Sequence, residues 1–451
     1  MIGEQADVLA DLRAAILAGD RPLARRLAAS LVDDDAEELL IDLNEVDLAR
    51  LFDVLGDEEL ADLVSQLHDE DAADVIERLS TAQAADLLEE IDPDDASDIL
   101  GEVDRDRHEE ILVAMEPAEA AELRDLMAYP PDSAGGIMTP AFVSIAPTLR
   151  ADQAIVALRR VAETAETVNY VYVVDPEDHL LGVLSLHRLV LGRPDALIAD
   201  LMYREITSVR VDTDQEVAAR LLTERNLLAL PVVDAYDRIV GIITSDDVAD
   251  VLEEEATEDI ERLGGSEPLL EPYLRASPFL LFRKRIVWLL VLFMAQFVTL
   301  EIYDHYEPLS QQLLLLNLFV PILIGTGGNV GSQTVTTVIR AMALGEAGPR
   351  NFVRILTKEL VTGLSLGLVM GGLMFARGAW KGGGAFGLTV GLTVLVLIVW
   401  AAVIGAILPL GLSKLRVDPA VVSAPFISSL VDGTGLVIYF SLAQLILHVG
   451  G

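Results

Sequence analysis

The segment Val421-Val-Ser-Ala-Pro-Phe-Ile-Ser-Ser-Leu-Val-Asp-Gly-Thr-Gly-Leu-Val-Ile-Tyr-Phe-Ser-Leu-Ala-Gln-Leu-Ile-Leu447 is long and apolar, yet it carries a carboxylate, Asp432. About 20 such residues suffice to cross a bilayer. A charge at membrane depth is costly and normally faces a water-filled route or a partner charge. The segment holds no Lys or Arg to neutralise it. The simplest partner is a cation that passes through. The alternative is an Asp hydrogen-bonded to a neighbouring helix.

Four further apolar runs precede this one, so the C-terminal region reads as five spans, over about 286–302, 313–342, 355–375, 386–412 and 420–447. Basic residues set the orientation. Arg283, Lys284 and Arg285 precede the first span, Arg340, Arg350, Arg354 and Lys358 separate the second from the third, and Lys414 and Arg416 separate the fourth from the fifth. These segments are cytoplasmic if the N-terminus is inside, with Arg377 and Lys381 as the exception. The acidic loop of Glu301, Asp304 and Glu307 then lies outside.

Two spans read as interrupted. The second contains Pro321-Ile-Leu-Ile-Gly-Thr-Gly-Gly-Asn-Val-Gly-Ser-Gln333, and the fifth contains Pro425 and Asp432-Gly-Thr-Gly435. Irregular backbone is tolerated in a membrane where protein or a water-filled cavity surrounds it. Asn329, Gln333, Thr336 and Thr337 add neutral oxygens on a helical face, the ligand type that hard cations take. Tight packing through small residues is the other reading of Gly325 to Gly331. Asp418-Pro419 opens the fifth span. It reads either as a helix cap or as a cation-attracting group at the cytoplasmic mouth.

The rest of the chain is of opposite character. Residues 1–282 hold 21 Lys+Arg against 65 Asp+Glu, a net charge of −44, whereas residues 283–451 hold 11 against 7, a net +4. Such asymmetry marks a domain boundary. Repulsion on this scale disfavours nucleic acid and anionic lipid as partners of the acidic half and favours multivalent cations. Adaptation to salt, or solubility alone, is the competing explanation. The chain has no Cys, which excludes disulfides and thiolate metal sites. Met1-Ile-Gly-Glu-Gln-Ala-Asp has neither the basic start nor the apolar run of a signal peptide, so none is expected. The six His are scattered without paired spacing, against a dedicated zinc or copper site.

Two repeat systems organise the acidic half. Asp62, Asp74, Asp86, Asp98, Glu110 and Glu122 recur every twelve residues, each followed by an apolar residue. Short helices stacked into a superhelix are expected, each repeat burying its neighbour's face. Asp33-Asp34-Asp35 and Asp92-Pro-Asp-Asp95 look like helix starts, and capping or a solvated face accounts for any single Asp here. A second duplication covers about 138–255. Met138-Thr-Pro parallels Met202-Tyr-Arg, Val171-Tyr-Val-Val-Asp175 parallels Leu230-Pro-Val-Val-Asp234, and Gly182-Val-Leu-Ser185 parallels Gly241-Ile-Ile-Thr244. Each unit reads as strand, helix, two strands, helix. It resembles a tandem pair of CBS domains, which implies adenosine nucleotide binding. An Asp three residues after the Ser/Thr would hold the ribose. Asp247, after Thr244, fits in the second copy, while Arg188 stands there in the first, so one full nucleotide site is expected, with Thr244, Asp247, Tyr170 and Arg188 as candidates.

Across nearly its whole length the chain resembles the MgtE family of magnesium channels. The resemblance rests on the acidic helical N-domain, the CBS pair, the connecting segment Glu253-Glu-Glu-Ala-Thr-Glu-Asp-Ile-Glu261, five spans, Pro321-x-x-x-Gly-Thr-Gly-Gly-Asn-x-Gly and Asp432-x-Thr-Gly. It implies an all-α superhelical N-domain (1–130), an α/β CBS pair (131–255), a connecting helix (256–282) and an α-helical five-span pore domain (283–451). It further implies a homodimer in the cytoplasmic membrane with its N-terminus in the cytosol and the pore on the dimer axis. Asp432 would hold hydrated Mg²⁺, with Gly325, Gly328, Asn329, Thr336 and Gly435 shaping the filter and Asp418 at its mouth. Ser332 and Ala424 stand where some members have Asn, and Asn226 where an acidic residue is usual.

The charge of −44 also suggests a gate. Cytosolic Mg²⁺ would fill sites among Asp62, Asp94, Asp98, Asp214, Glu216, Asp247, Asp250, Glu255, Glu258 and Asp259, the positions that the family pattern implies. Filled sites favour a compact, closed state, which is a population shift driven by differential binding. The chain contains neither a His-Glu-x-x-His helix nor a Gly-rich phosphate loop ending in Lys-Ser/Thr. A membrane-anchored protease and an ATP-driven pump are therefore disfavoured, and the expectation is a protein that is not an enzyme. A sensor that transports nothing leaves Asp432 unexplained. A broader carrier of Co²⁺ or Mn²⁺ stays open.

Overall fold

The computed structural model describes residues 11–448 apart from 13, 17, 19, 29–38, 41, 42, 162–164, 166, 270–272, 275, 308–313 and 416. Asp33–Asp35 and Arg416, read above from sequence, lie outside the described residues. Two compact units, Met1–Glu253 and Glu254–Gly451, are each described by itself.

The first unit opens with α1 (Arg21–Ala28) and α2 (Glu45–Leu55), followed by six short helices. These are α3 (Asp57–Val64), α4 (Asp69–Arg78), α5 (Thr81–Leu88), α6 (Pro93–Glu102), α7 (Arg105–Ala114) and α8 (Pro117–Leu126). Their first residues fall twelve apart, which is the period of the acidic positions. The apolar residue after each acid is buried in all six: Leu63, Val75, Leu87, Ile99, Ile111 and Leu123. The packing differs from a simple stack of neighbours. α3 lies on α5, α4 on α6, α5 on α7 and α6 on α8, so each helix buries its face against the next but one. Glu carboxylates knit the rows together. The Asp104 N–H donates to Glu77 Oε1 at 2.9 Å and the Glu116 N–H to Glu89 Oε1 at 2.6 Å, one repeat apart. Each satisfies an otherwise orphaned N–H at a helix start.

The duplicated segment forms two three-stranded sheets. β1 (Ser144–Ile145), α9 (Ala151–Val161), β2 (Tyr170–Val174), β3 (Leu180–Ser185) and α10 (Leu186–Leu191) form the first copy, with α11 (Ile198–Leu201) after it. β4 (Val209–Arg210), α12 (Gln215–Arg225), β5 (Ala229–Val233), β6 (Ile239–Thr244) and α13 (Ser245–Gly264) form the second. In both, the short first strand pairs parallel with the second, which pairs antiparallel with the third. The copies exchange their leading segments. Thr139 bridges Ile242, and a Cβ on Gly241 would sit 2.7 Å from Met138 Sδ; Tyr203 bridges Val183, and a Cβ on Gly182 would sit 2.5 Å from Met202 Sδ. Each glycine thus leaves room for the methionine of the segment that precedes the other copy.

The second unit contains five helices long and apolar enough to cross a membrane: α14 (Pro278–His305), α15 (Leu314–Ala343), α16 (Phe352–Gly382), α17 (Gly384–Lys414) and α18 (Ala424–Leu447). Two expectations are corrected here. The second and fifth spans are not broken. α15 is helical through Pro321 and the whole glycine run, and α18 through Asp432-Gly-Thr-Gly435. A continuous helix satisfies its backbone internally, which lipid demands, and the glycines serve close packing instead. A Cβ on Gly327 would lie 2.7 Å from Val431 Cγ1, and one on Gly331 only 2.5 Å from Ile427 Cγ2. Pro425 lies in the first turn of α18, where Ser423 Oγ accepts from the Phe426 N–H; a proline there sacrifices no helical bond. The segment 256–282 is also not one connecting helix. Residues 256–264 continue α13, Gly265 follows at φ 79°, a conformation that favours glycine, and residues 278–282 already belong to α14.

The close seam carries a prediction. Gly331→Val forces a branched side chain into Ile427, and overpacking of this kind costs about 1–3 kcal/mol. Thermal unfolding of the purified protein in detergent should show a lowered midpoint, whereas Gly325→Ala, whose Cβ would meet nothing within 4 Å, should not.

Candidate ion pathway and regulatory carboxylates

α15 and α18 run antiparallel. Gly327 meets Val431, Ser332 Oγ lies 3.3 Å from Ser428 Oγ, and the Tyr439 hydroxyl donates to the Leu316 carbonyl at 3.1 Å. This register brings Asp432 to the depth of the glycine run. Asp432 is half-buried and hydrogen-bonded to Gln296 of α14. Among the described residues it has no ion pair. Its neighbours are fixed: Gln296 Nε2 donates to Ser429 Oγ at 3.3 Å, and Trp400 Nε1 donates to Thr434 Oγ1 at 2.9 Å. Thr434 itself donates to the Leu430 carbonyl.

Gly325, Asn329, Gln333 and Thr336 form an exposed stripe along α15 at helical spacing. The side chains of Asn329, Gln333 and Thr336 have no hydrogen-bond partner among the described residues. A polar face on a helix of this length and apolarity requires water or another chain beside it. Gly328 and Gly435 are placed differently. A Cβ on Gly328 would lie 3.1 Å from Ser428 Oγ, and one on Gly435 2.9 Å from Leu397 Cδ1 of α17. Both are buried positions where helices approach closely.

Asp418 caps a short 3₁₀ turn, Pro419–Val421, its Oδ1 accepting from the Ala420 N–H at 2.7 Å. Its other oxygen pairs with Arg262, which also pairs with Glu258 one turn back on α13. Gly265 abuts Trp288, whose Nε1 donates to Ser423 Oγ at 3.0 Å. The end of α13 is thereby fastened to the entry of the fifth span. Glu255, Glu258 and Asp259 share one face of α13, spaced three and four residues apart. Arg262→Gln would leave Glu258 and Asp418 facing each other without their cation. Hydrogen exchange of residues 256–264 and 418–424 should accelerate in that variant and stay slow in Arg262→Lys.

In the first unit the candidate carboxylates fall into three groups. Asp62, Asp247 and Asp250 are linked electrostatically through Asp92 and Asp246, with Glu253 acting on Asp250; sequence reasoning does not place Asp92, Asp246 or Glu253 in the site. Partial desolvation, then the charges of Asp246 and Asp62, raises the Asp92 carboxyl above the ordinary range. Burial likewise raises Asp247; two Thr244 hydrogen bonds oppose the shift, and Asp246 and Asp250 add to it. Desolvation, Asp246 and Glu253 raise Asp250, with His68 opposing. Residues from α3, the start of α6 and the start of α13 thus share one crowded negative region. Asp94 and Asp98 form the second group, on α6, with Asp94 buried. Asp214 and Glu216 form the third and are accounted for locally. Asp214 caps α12, accepting from the N–H groups of Glu216 and Val217, and Glu216 pairs with Arg220.

Among the nucleotide candidates, Asp247 Oδ2 accepts from the Thr244 N–H at 2.8 Å and from its hydroxyl at 2.9 Å, closing the start of α13. Arg188 stacks over the Tyr203 ring at 4.1 Å, and Tyr170 begins β2 opposite Ser185. A grouping of Asp175, Glu177 and His179 has metal-ligand proximity, but it is a turn motif. Asp175 Oδ1 accepts from the N–H groups of Glu177 and His179, as Asp234 Oδ1 does from Tyr236 and Arg238 in the second copy.

Comparison with known proteins covers these regions. Family models match the MgtE divalent cation transporter domain over residues 320–442, the MgtE intracellular N domain over 32–132, and CBS domains over 134–192 and 198–254. The magnesium transporter MgtE of Thermus thermophilus is 41% identical over 74% of this chain and 74% of its own length. That of Enterococcus faecalis is 37% identical over 73% and 72%. Among solved structures, the soluble part of a magnesium transporter matches with TM-score 0.53 and 35% identity, over 56% of this chain and 99% of the other. The cytosolic domain of the Mg²⁺ channel MgtE in complex with ATP matches with TM-score 0.50 and 34% identity, over 54% and 99%.

Proposed function

Because this chain belongs to the MgtE family of magnesium transporters, we propose that it is a Mg²⁺ channel of the cytoplasmic membrane, with its N-terminal unit in the cytosol. The observation that carries this reading is the half-buried Asp432, without an ion pair among the described residues, at the depth of the exposed polar stripe Gly325–Thr336. Two copies of the chain would face these surfaces across a two-fold axis, which supplies the water-filled neighbour that the stripe requires. Mg²⁺ releases its waters reluctantly, so a ring of amide, hydroxyl and carboxylate oxygens suits a hydrated ion. Gln296 orients Asp432, and Asp418 stands at the cytoplasmic entry.

The cytosolic carboxylates act as the sensor in this reading. Mg²⁺ among Asp62, Asp92, Asp246, Asp247 and Asp250 neutralises their repulsion and stabilises the closed state. Asp94, Asp98, Asp214, Glu216, Glu255, Glu258 and Asp259 complete the proposed set. The CBS pair takes ATP near Thr244, Asp247, Tyr170 and Arg188, a reading supported by the similar cytosolic domain that was solved with ATP bound. The family model's wider description, a divalent cation transporter, favours one second reading, in which Co²⁺ and Mn²⁺ pass as well. Uptake of Mg²⁺ into liposomes holding the purified protein, with Co²⁺, Mn²⁺ and Ca²⁺ as competitors, tests both. Uptake no faster than in protein-free liposomes would remove the channel reading, and equal uptake of Co²⁺ would favour the second.

A further inference from the structure

The cytoplasmic end of the third span carries a feature that ion conduction does not use. The turn Pro349–Asn351 and the first turns of α16 present an open polar face. Arg350, Arg354 and Lys358 lie on it four residues apart, beside Asn351, Thr357 and Val361. All three cations are exposed, and none forms an ion pair among the described residues. The stretch's own carboxylate, Glu359, is hydrogen-bonded to Thr334 of α15 instead.

The rest of the helix says which way this stripe faces. Gly363, Gly367 and Gly371 are buried against α17, where a Cβ on Gly371 would lie 2.7 Å from the Gly391 carbonyl. At 3.6 residues per turn, Arg354 lies opposite Gly363, with Arg350 and Lys358 to either side of it. Val361 and Leu368 continue the same outward face and are both exposed. A cationic strip about 12 Å long, at a rise of about 1.5 Å per residue, therefore runs directly into an apolar strip on one helix face.

We infer that this helix face binds the headgroup of an anionic phospholipid of the cytoplasmic leaflet, with the acyl chains lying along Val361 and Leu368. The phosphate meets the three cations, as basic groups at the cytoplasmic edge of a span favour anionic headgroups. The apolar continuation distinguishes a lipid from a free phosphate compound, which has nothing to place there. The inference rests on the membrane orientation proposed above but not on ion conduction.

The test uses the full-length protein in detergent. Retention of phosphatidylglycerol and of phosphatidylcholine is measured by native mass spectrometry, for the wild type and for Arg350→Gln/Arg354→Gln/Lys358→Gln. The wild type should retain phosphatidylglycerol selectively, and the triple variant should lose about a hundredfold in that selectivity, three basic side chains acting together. Equal retention by the two proteins overturns the inference. Displacement of the lipid by millimolar inorganic pyrophosphate also overturns it, by showing that the cationic strip takes free phosphate. Asp432→Asn separates the two claims, because a chain that conducts nothing should still retain the lipid. Arg350→Lys/Arg354→Lys keeps the charge and should retain the lipid, and an unchanged thermal midpoint of the triple variant shows that its loss of lipid is not misfolding.

Discussion

Asp432→Asn is expected to slow Mg²⁺ uptake into liposomes by about a hundredfold or more while leaving the protein folded. The substitution keeps shape and hydrogen-bonding capacity towards Gln296 but removes the only formal charge that the fifth span holds from Ala424 to Leu447. A hydrated divalent cation donates hydrogen bonds from its waters, and such bonds to an ionised acceptor contribute about 1.5–3 kcal/mol each. Losing about 3 kcal/mol of that interaction corresponds to roughly a hundredfold in occupancy. Each copy in a dimer contributes one carboxylate, so the loss is felt twice at one site. Stopped-flow fluorescence of an entrapped Mg²⁺ dye checks the rate, and circular dichroism checks the fold. A variant as fast as wild type would mean that Asp432 is only a hydrogen-bonded structural residue.

Lowering the pH should mimic Mg²⁺ in the cytosolic unit. The Asp92, Asp247 and Asp250 carboxyls are all raised above their ordinary value, chiefly by desolvation and then by neighbouring charges, among which Asp246 acts on all three. A carboxyl that is raised in the compact state binds protons there more readily than in the open one. Its ionisation therefore opposes compaction above the raised value, and the opposition disappears as pH falls towards 3.8. Mg²⁺ relieves the same repulsion without protonation. The absence of Cys from the chain makes the measurement simple. Spin labels on Gln66→Cys and Ala235→Cys, both exposed, report the separation of the helical repeats from the second CBS copy. In EDTA at pH 8 the distance distribution should be broad, and either 10 mM Mg²⁺ or acidification towards pH 3.8 should narrow it severalfold. Asp246→Asn/Asp250→Asn should be narrow under all three conditions. A distribution that ignores both pH and Mg²⁺ would mean that the carboxylates are only solvated surface.

Much of this was legible from residue order. The twelve-residue step from Asp62 to Glu122 announced six helices because a solenoid repeats its contacts at the period of its sequence. Asp432 stood out because a lone charge in an apolar run has few physical explanations. The matching Val-Val-Asp and Gly-x-x-Ser/Thr runs gave both CBS copies because the same strand order recurs with the same register. Other features were hidden for identifiable reasons. Glycine serves a broken helix and a tightly packed one equally well, so Gly327, Gly331 and Gly435 could be sorted only once Val431, Ile427 and Leu397 were seen against them. The exchange of Met138 and Met202 between copies is invisible in an alignment of the repeats with each other. Asp92 and Asp246 are ordinary helix-start residues until folding brings them together. Arg262 gave no signal, since its partner Asp418 lies 156 positions away.

The most direct test of the account is the rate of Mg²⁺ release from Mg²⁺-loaded liposomes with the cytosolic unit outward, measured with that face bathed in EDTA and again in 10 mM Mg²⁺ under a matched outward driving force. The account predicts fast conduction per unit of driving force in EDTA and at least tenfold suppression in Mg²⁺, with Asp246→Asn/Asp250→Asn slow under both conditions. Equal conduction under the two conditions in the wild type would contradict it.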